Sequence, residues 1–453
     1  MTGLVLFVLL AGLEIVLAAK GRGKEKEKKT WLRNRLLVRA AEFVTVLAAM
    51  LTVPQNWRLM PVLGFLAILL LIAMMKWLLG RRRDGTGKKA GAAVANCILS
   101  IVCIGLLLTP AVLFTGYSGL PVSGQHPVAE ASAILVDRSR SDPFEQDGSC
   151  REVPVYFYYP DDAADGERFP LVVFSHGAFG YYQSNTSTYM ELASNGYVVV
   201  ALDHPHHAFF TRDTAGKLVL FDQDFFQTAS TMGNPNEDAE RYFTIFREWM
   251  DLRTADMNFV VDTLEAAGSS DALDSAWFLS GNDADTLLPI LKNMDWTKIG
   301  LMGHSMGGAT AVELGRERSD ISAVIDLDGT MLGEYNGVEN GQITVSEEPY
   351  PIPVLEFNNW ESYNERREYL AQGYRYPNDE VIRSAGDGYS TAIRDTLHMD
   401  YTDLPLFSPI LGNLLGSGER DHAETMTIVN GLVLEFFDHY LKGEGTFSVQ
   451  EIY

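Results

Sequence analysis

Apolar positions crowd together over the first 115 residues and come in short blocks beyond them. Four apolar runs, roughly 3–19, 36–53, 61–79 and 91–115, are each about long enough to cross a ~30 Å hydrocarbon core as a helix. The second is the least apolar, since it carries Arg39 and Glu42. Those two stand three apart on one helical face near an end, which predicts an interfacial ion pair that snorkels. The sharper alternative is an intramembrane polar site. Residues 116–130, with Gly116, Gly119, Pro121, Gly124 and Pro127, read as an exposed connector.

From 131 to 453 the pattern becomes that of one large α/β domain. Unbroken apolar blocks at 152–159, 171–175, 197–203, 298–303, 321–327 and 353–357 predict strands, with a further one at 389–395. Helical periodicity covers 183–194, 237–267, 306–317 and 423–441. Such strands separated by helices predict a mostly parallel sheet covered on both faces. The expected architecture is thus an α/β domain behind a bundle of about four transmembrane helices.

Charge divides the chain in the same place. Residues 1–115 hold 16 Lys and Arg against 5 Asp and Glu, and residues 116–453 hold 20 against 54. So acidic a second part repels phosphate backbones, which argues against a nucleic-acid partner. Basic residues concentrate in loops 20–35 and 80–90, so the positive-inside rule places both in the cytoplasm. The N-terminus and everything after residue 115 are then extracytoplasmic. A cleaved signal peptide at 1–19 fits poorly, because positive charge follows the apolar run. The three cysteines (Cys97, Cys103, Cys150) form neither a disulfide framework nor a metal-binding spacing.

Three strand ends carry chemistry. Gly303-His304-Ser305-Met306-Gly307 follows a strand and opens a helix, the context of a nucleophile elbow with Ser305 at its tip. His176-Gly177-Ala178 follows the strand 171–175. Backbone N–H groups of Ala178 and Met306 are the expected oxyanion donors. Asp328, just past the strand 321–327, is the expected acid, with Asp326, Glu356 and Asp400 as alternatives. The base follows the acid in this chain order, so it is His398, His422 or His439. His398 leads because a loop histidine can reach the elbow. These roles make Ser305 an acyl-accepting nucleophile, with no metal or cofactor required. Asp203-His204-Pro205-His206-His207 could hold a metal, but Pro205 breaks regular spacing, which favours a structural or pocket-lining role. Asn185-Thr186-Ser187 is a glycosylation sequon. Apolar residues Phe209, Phe210, Leu218, Leu220, Phe221, Phe225 and Phe226 form either a lid or lipid-facing surface, or an insertion packed on the core.

Several stretches resemble the platelet-activating-factor acetylhydrolase family, of the secreted plasma type and its bacterial relatives. They are Asp142-Pro143-Phe144 with Arg151–Val155, Phe174-Ser175-His176-Gly177, Gly303–Thr310 and Ile393–His398. Asp328 stands 23 residues after Ser305, as in that family. The resemblance spans roughly 138–440. It implies an α/β-hydrolase fold and calcium-independent cleavage of phospholipids with short or oxidised sn-2 chains. The four-helix anchor departs from the secreted pattern. Rival expectations are a carboxylesterase or dienelactone-hydrolase-like enzyme on soluble esters, and a non-enzymatic membrane sensor that kept the fold. Oligomeric state is not legible.

Overall fold

The computed structural model describes residues 2–21, 28–52, 56–80, 90–164, 166–232, 238–279 and 284–453. Residues 22–27 and 81–89 of the two segments read as basic loops lie outside them, and the first loop is shorter than expected, because residues 28–35 already belong to a helix. The chain forms two compact units: Met1–Gly119 with Pro405–Asn413, and Leu120–Leu404 with Leu414–Tyr453.

The first unit holds helices α1 (Thr2–Gly21), α2 (Lys28–Thr52), α3 (Met60–Gly80) and α4 (Ala90–Leu113). All four meet in one apolar core: Leu6 and Leu10, Val46, Val62 and Leu66, Ile104 and Leu108. The segment 405–413 joins this unit through Thr115 N–H, which donates to Phe407 O at 2.7 Å. Ser408 Oγ likewise donates to Leu113 O at 2.6 Å. Among the described residues, three stretches are long and apolar enough to cross a membrane: Thr2–Lys20, Asn56–Leu79 and Gly91–Leu113. By that measure α2 is not among them, because its N-terminal half is strongly basic.

The interfacial ion pair expected at Arg39 and Glu42 is corrected here. Arg39 does bond Glu42 at 2.7 Å, but it also bonds Glu14 on α1 and lies 3.4 Å from Ser100 Oγ on α4. All four side chains are buried between the helices, not snorkelling at an end. A cation on α2 that finds its counter-charge on another helix supplies register as well as neutralisation. Removing it strands two buried carboxylates. We expect Arg39→Ala to cost about 3–5 kcal/mol, read as earlier thermal aggregation of the full chain in detergent, whereas an unchanged profile would mean water reaches the cluster.

Among the described residues the second unit holds thirteen strands in chain order: β1 (Val128–Ser141), β2 (Cys150–Pro160), β3 (Phe169–Ser175), β4 (Val198–Leu202), β5 (Phe210–Arg212), β6 (Leu218–Leu220), β7 (Trp277–Phe278), β8 (Met294–His304), β9 (Ile321–Leu327), β10 (Tyr335–Glu339), β11 (Gln342–Val345), β12 (Val354–Asn358) and β13 (Gly388–Ala392). Nine form one sheet in the order β13-β12-β9-β8-β3-β4-β2-β1-β7. The run from β13 to β4 is parallel, and β2, β1 and β7 continue it antiparallel. The parallel strands are apolar throughout because helices cover both faces. One face packs against the long helix Ala239–Gly268, through Met257, Val260, Val261 and Leu264. The other packs against α5 (Thr186–Ser194) and the helix His422–Phe437.

Two differences from the sequence reading have plain causes. β1 begins inside the segment read as a connector, and its polar end (Asp137, Arg138, Ser139, Arg140) hides its periodicity. The helix expected to reach 441 ends at Phe437 and finishes in a wider π turn, Asp438–Lys442. The sequon is buried as well: Asn185 donates from its side chain to Tyr401 O at 2.7 Å, so the folded chain does not present it.

Candidate active site

Parallel register sets the site. Ser175 pairs with Gly303, Gly303 with Asp326, and Asp326 with Glu356, so these strand ends lie in one row. Beyond that row the chain leaves the sheet through tight backbone. Ser305 has φ 56 and ψ −126, and Asp328 (φ 58), Asp395 (φ 61) and Phe179 (φ 60) also carry positive φ. Such values cost a non-glycine residue about 1–3 kcal/mol each and persist only where the surroundings enforce them.

Glycines make the enforcement possible. A Cβ at Gly303 would sit 2.2 Å from the carbonyl carbon of Gly307, and one at Gly307 would sit 2.0 Å from Ser175 O. One at Gly177 would meet Ser305 Cβ at 3.0 Å. The elbow and the loop after β3 therefore touch through bare backbone. Ser305 N–H donates to Leu327 O at 2.9 Å, which ties the elbow to β9. The helix Met306–Glu317 starts directly behind Ser305 and points its positive end at the serine.

Asp328 and His398 are brought together although 70 residues separate them. His398 Nδ1 lies 2.6 Å from Asp328 Oδ2. Asp328 also accepts from Asn359 N–H at 2.6 Å and Asn359 Nδ2 at 2.8 Å. These contacts leave His398 Nε2 as the ring's open nitrogen. Among the described residues Ser305 Oγ has no hydrogen-bond partner, and the structure draws no bond from it to His398. The ring of His304, beside Ser305, lies 4.6 Å from the His398 ring, and its Nε2 sits 3.1 Å from His398 O. Burial above all, and then His398, pushes the His304 pKa well below the ordinary value, so it is a neutral donor under that loop.

The alternatives are occupied elsewhere. Glu356 is buried and held by Arg366, Ser390 and Asn378. Asp326 lies under the elbow and accepts from Gly329 N–H at 2.9 Å; burial, with Glu356 and Asp328 near, pushes its carboxyl well above the usual range. Asp400 accepts from Leu397 N–H and Gly418 N–H, which pins the His398 loop. His422 Nδ1 lies 2.8 Å from Asp400 Oδ1, out of line for a hydrogen bond, so the two runners-up face each other. His439 sits by Gly445 O on the π turn.

In the loop after β3, Phe179 N–H donates to His207 O at 2.9 Å and Gly180 N–H to Gly177 O at 3.0 Å. Among the described residues Ala178 N–H and Met306 N–H have no backbone acceptor. Ala178 and Met306 also share one small apolar cluster, with Phe225 and Met250. Phe225 stacks on His207 at 3.9 Å, while Phe209, Leu218, Leu220 and Phe226 remain exposed. The aromatic stretch thus both packs and projects.

The histidine cluster forms a buried network. His204 Nε2 lies 2.8 Å from Ser175 Oγ, and its Nδ1 lies 3.0 Å from Asp256 Oδ2. Asp256 also pairs with Arg151 at 2.8 Å and Arg140 at 2.9 Å. This is a second Ser–His–Asp chain, sealed from solvent. Asn359, His304 and Arg253 (described below) were missed by the sequence reading. Only Asn359 left a signal there, as a helix-capping residue type just after a strand.

Asp203, which precedes His204 and lies 3.7 Å from His176 Nε2, offers a pH test of its own. Burial, opposed by hydrogen bonds from Tyr182 N–H and Tyr156, pushes its carboxyl up to about 8. In the unfolded chain it ionises near pH ~4, so between about 4 and 8 the unfolded state has lost a proton that the folded state keeps. Its contribution to stability falls by about 1.4 kcal/mol per pH unit through that window. Asp203→Asn should therefore gain Tm relative to the native protein as pH rises from about 4.5 to about 7.5; a constant difference would show an ionised folded carboxylate.

A family model described as platelet-activating factor acetylhydrolase, isoform II, matches residues 151–450. The platelet-activating factor acetylhydrolase of Cavia porcellus is 23% identical over 290 residues, covering 61% of this chain and 58% of its own. That of Gallus gallus is 25% identical over 296 residues, covering 61% and 63%. A probable 1-alkyl-2-acetylglycerophosphocholine esterase of Arthroderma benhamiae is 25% identical over 210 residues, covering 46% and 42%. The chain thus spans less than two thirds of these relatives' lengths. Among solved structures, a ferulic acid esterase from Streptomyces cinnamoneus superposes with a TM-score of 0.52 at 22% identity, over 72% of this chain and 93% of that one. That likeness shows the α/β-hydrolase fold.

Proposed function

The chain belongs to the platelet-activating factor acetylhydrolase, isoform II, family, and on that premise we propose that it is a serine hydrolase of carboxylic esters, anchored in a membrane with its catalytic unit outside the cytoplasm. The observation that carries the reading is the Asp328–His398 pair at 2.6 Å, its ring 4.6 Å from that of His304, the residue that precedes a serine held at positive φ. In the proposed reaction His398 Nε2 takes the Ser305 proton as Oγ attacks the ester carbonyl. Asp328 keeps the Nδ1–H tautomer and stabilises the imidazolium. N–H groups of Ala178 and Met306 receive the tetrahedral oxyanion. The imidazolium returns its proton to the leaving alcohol, and water then releases the acyl group by the same route.

The proposed substrates are phospholipids with short or oxidised sn-2 acyl chains. The relatives named above support this, as do the apolar side chains exposed on β5, β6 and the helix Gln223–Ser230. Four spans are proposed, α2 included, because the charges of Arg39 and Glu42 are matched inside the bundle. The positive-inside rule then puts the basic segments 20–35, whose second half opens α2, and 80–90 in the cytoplasm. A catalytic unit protected from protease on intact cells would refute that topology.

A hydrolysis panel tests the substrate. We expect faster turnover of 2-acetyl phospholipids than of 2-palmitoyl ones, and of either short-chain lipid than of matched p-nitrophenyl esters. Preference for the soluble esters would instead identify a general carboxylesterase.

A further inference from the structure

We infer that Arg253 is a positioning residue that fixes and polarises the Gly177–Ala178 peptide so that Ala178 N–H serves as an oxyanion donor; this rests on the hydrolase reading above. Arg253 occupies a core slot of the helix Ala239–Gly268, in the buried stripe with Met250, Met257, Val260 and Val261. A guanidinium there is fully buried, a costly placement unless its donors are met.

Among the described residues no carboxylate meets it. Nη1 donates to His176 O at 2.5 Å, Nη2 to Gly177 O at 3.4 Å and Nε to His207 Nδ1 at 3.2 Å. Burial first, and then the charge of Arg253 itself, pushes the His207 pKa well below the ordinary value, so that ring is a neutral acceptor. Asp256, the near carboxylate, is taken by Arg151, Arg140 and His204. The cation is thereby directed at two consecutive carbonyls of one loop.

Geometry makes this consequential. Gly177 C=O and Ala178 N–H are the two ends of one planar amide and point in opposite directions. Gly177 O accepts from Arg253, from His176 Nδ1 at 2.6 Å and from Gly180 N–H at 3.0 Å. Three donors on the oxygen fix the direction of the N–H. A cationic donor also draws electron density along the amide and strengthens its N–H. An oxyanion donor works by being held in place before charge develops, and this arrangement supplies that rigidity.

The experiment uses the full chain in detergent, with p-nitrophenyl acetate as substrate and an alkyl trifluoromethyl ketone as mimic of the tetrahedral intermediate. Arg253→Met is expected to leave KM within about twofold and lower kcat about 10–100-fold, somewhat less than outright loss of an oxyanion donor. Ketone affinity should weaken by the same factor, and Arg253→Lys should recover part of both. A merely structural arginine would lower Tm without this parallel loss. A folded Arg253→Met enzyme with unchanged kcat, or with its loss confined to KM, overturns the inference while leaving the hydrolase reading intact. Should the Met variant not fold, Arg253→Gln carries the comparison, and unchanged kcat and ketone affinity in it overturn the inference. A wild type that turns over no ester overturns both.

Discussion

Ser305→Ala is expected to abolish ester hydrolysis and fluorophosphonate labelling while leaving the fold intact. Removing a triad serine lowers kcat by about 10⁶ in a comparable enzyme, with residual rate left to the oxyanion donors and binding. Stability should barely change. Among the described residues Ser305 Oγ has no hydrogen-bond partner to lose, and alanine tolerates the positive φ no worse than serine does. The control is Ser175→Ala. Ser175 belongs to the other Ser–His–Asp chain, where His204 Nε2 lies 2.8 Å away. Its loss leaves a buried ring nitrogen unpaired, at a cost of about 1–3 kcal/mol. Its labelling should persist. If Ser175→Ala loses the label and Ser305→Ala keeps it, the nucleophile is assigned to the wrong chain.

The second large effect is expected at Asp328. Asp328→Asn should lower kcat by about 10⁴, the scale seen when a triad carboxylate becomes an amide. Asparagine can present an N–H to His398 Nδ1, which favours the opposite tautomer and leaves Nε2 protonated and unable to accept from serine. The two donors from Asn359 would also compete for one remaining oxygen. Activity measured beside His398→Ala and His422→Ala separates the two histidines. The first should match the Asp328 loss. The second should act only through the loop that Asp400 holds. Comparable loss in His422→Ala, with His398→Ala active, would move the base to His422.

Legibility followed how local each signal was. The elbow was readable because strand, glycines, serine and helix lie within a dozen residues, and their backbone demands are written in the residue types. The parallel strands were readable because burial on both faces leaves no polar position to break the run. β1 was not, since its Asp137–Arg140 end is polar and pairs with β2 only once both are placed. Arg39 was misjudged for a related reason: its spacing to Glu42 was visible, but Glu14 and Ser100 reach it only through helix packing.

By itself the sequence determined the division into apolar helices and an acidic α/β part, the elbow at Ser305, and a short set of acids and bases behind it. Those follow from periodicity, charge and turn chemistry, all properties of neighbours along the chain. Only the tertiary structure paired Asp328 with His398 and Asp400 with His422, and brought Asn359 to the acid. It alone set Arg253 beneath the Ala178 peptide. These are contacts across tens of residues, where no local propensity acts and the register of a packed sheet decides which side chains meet.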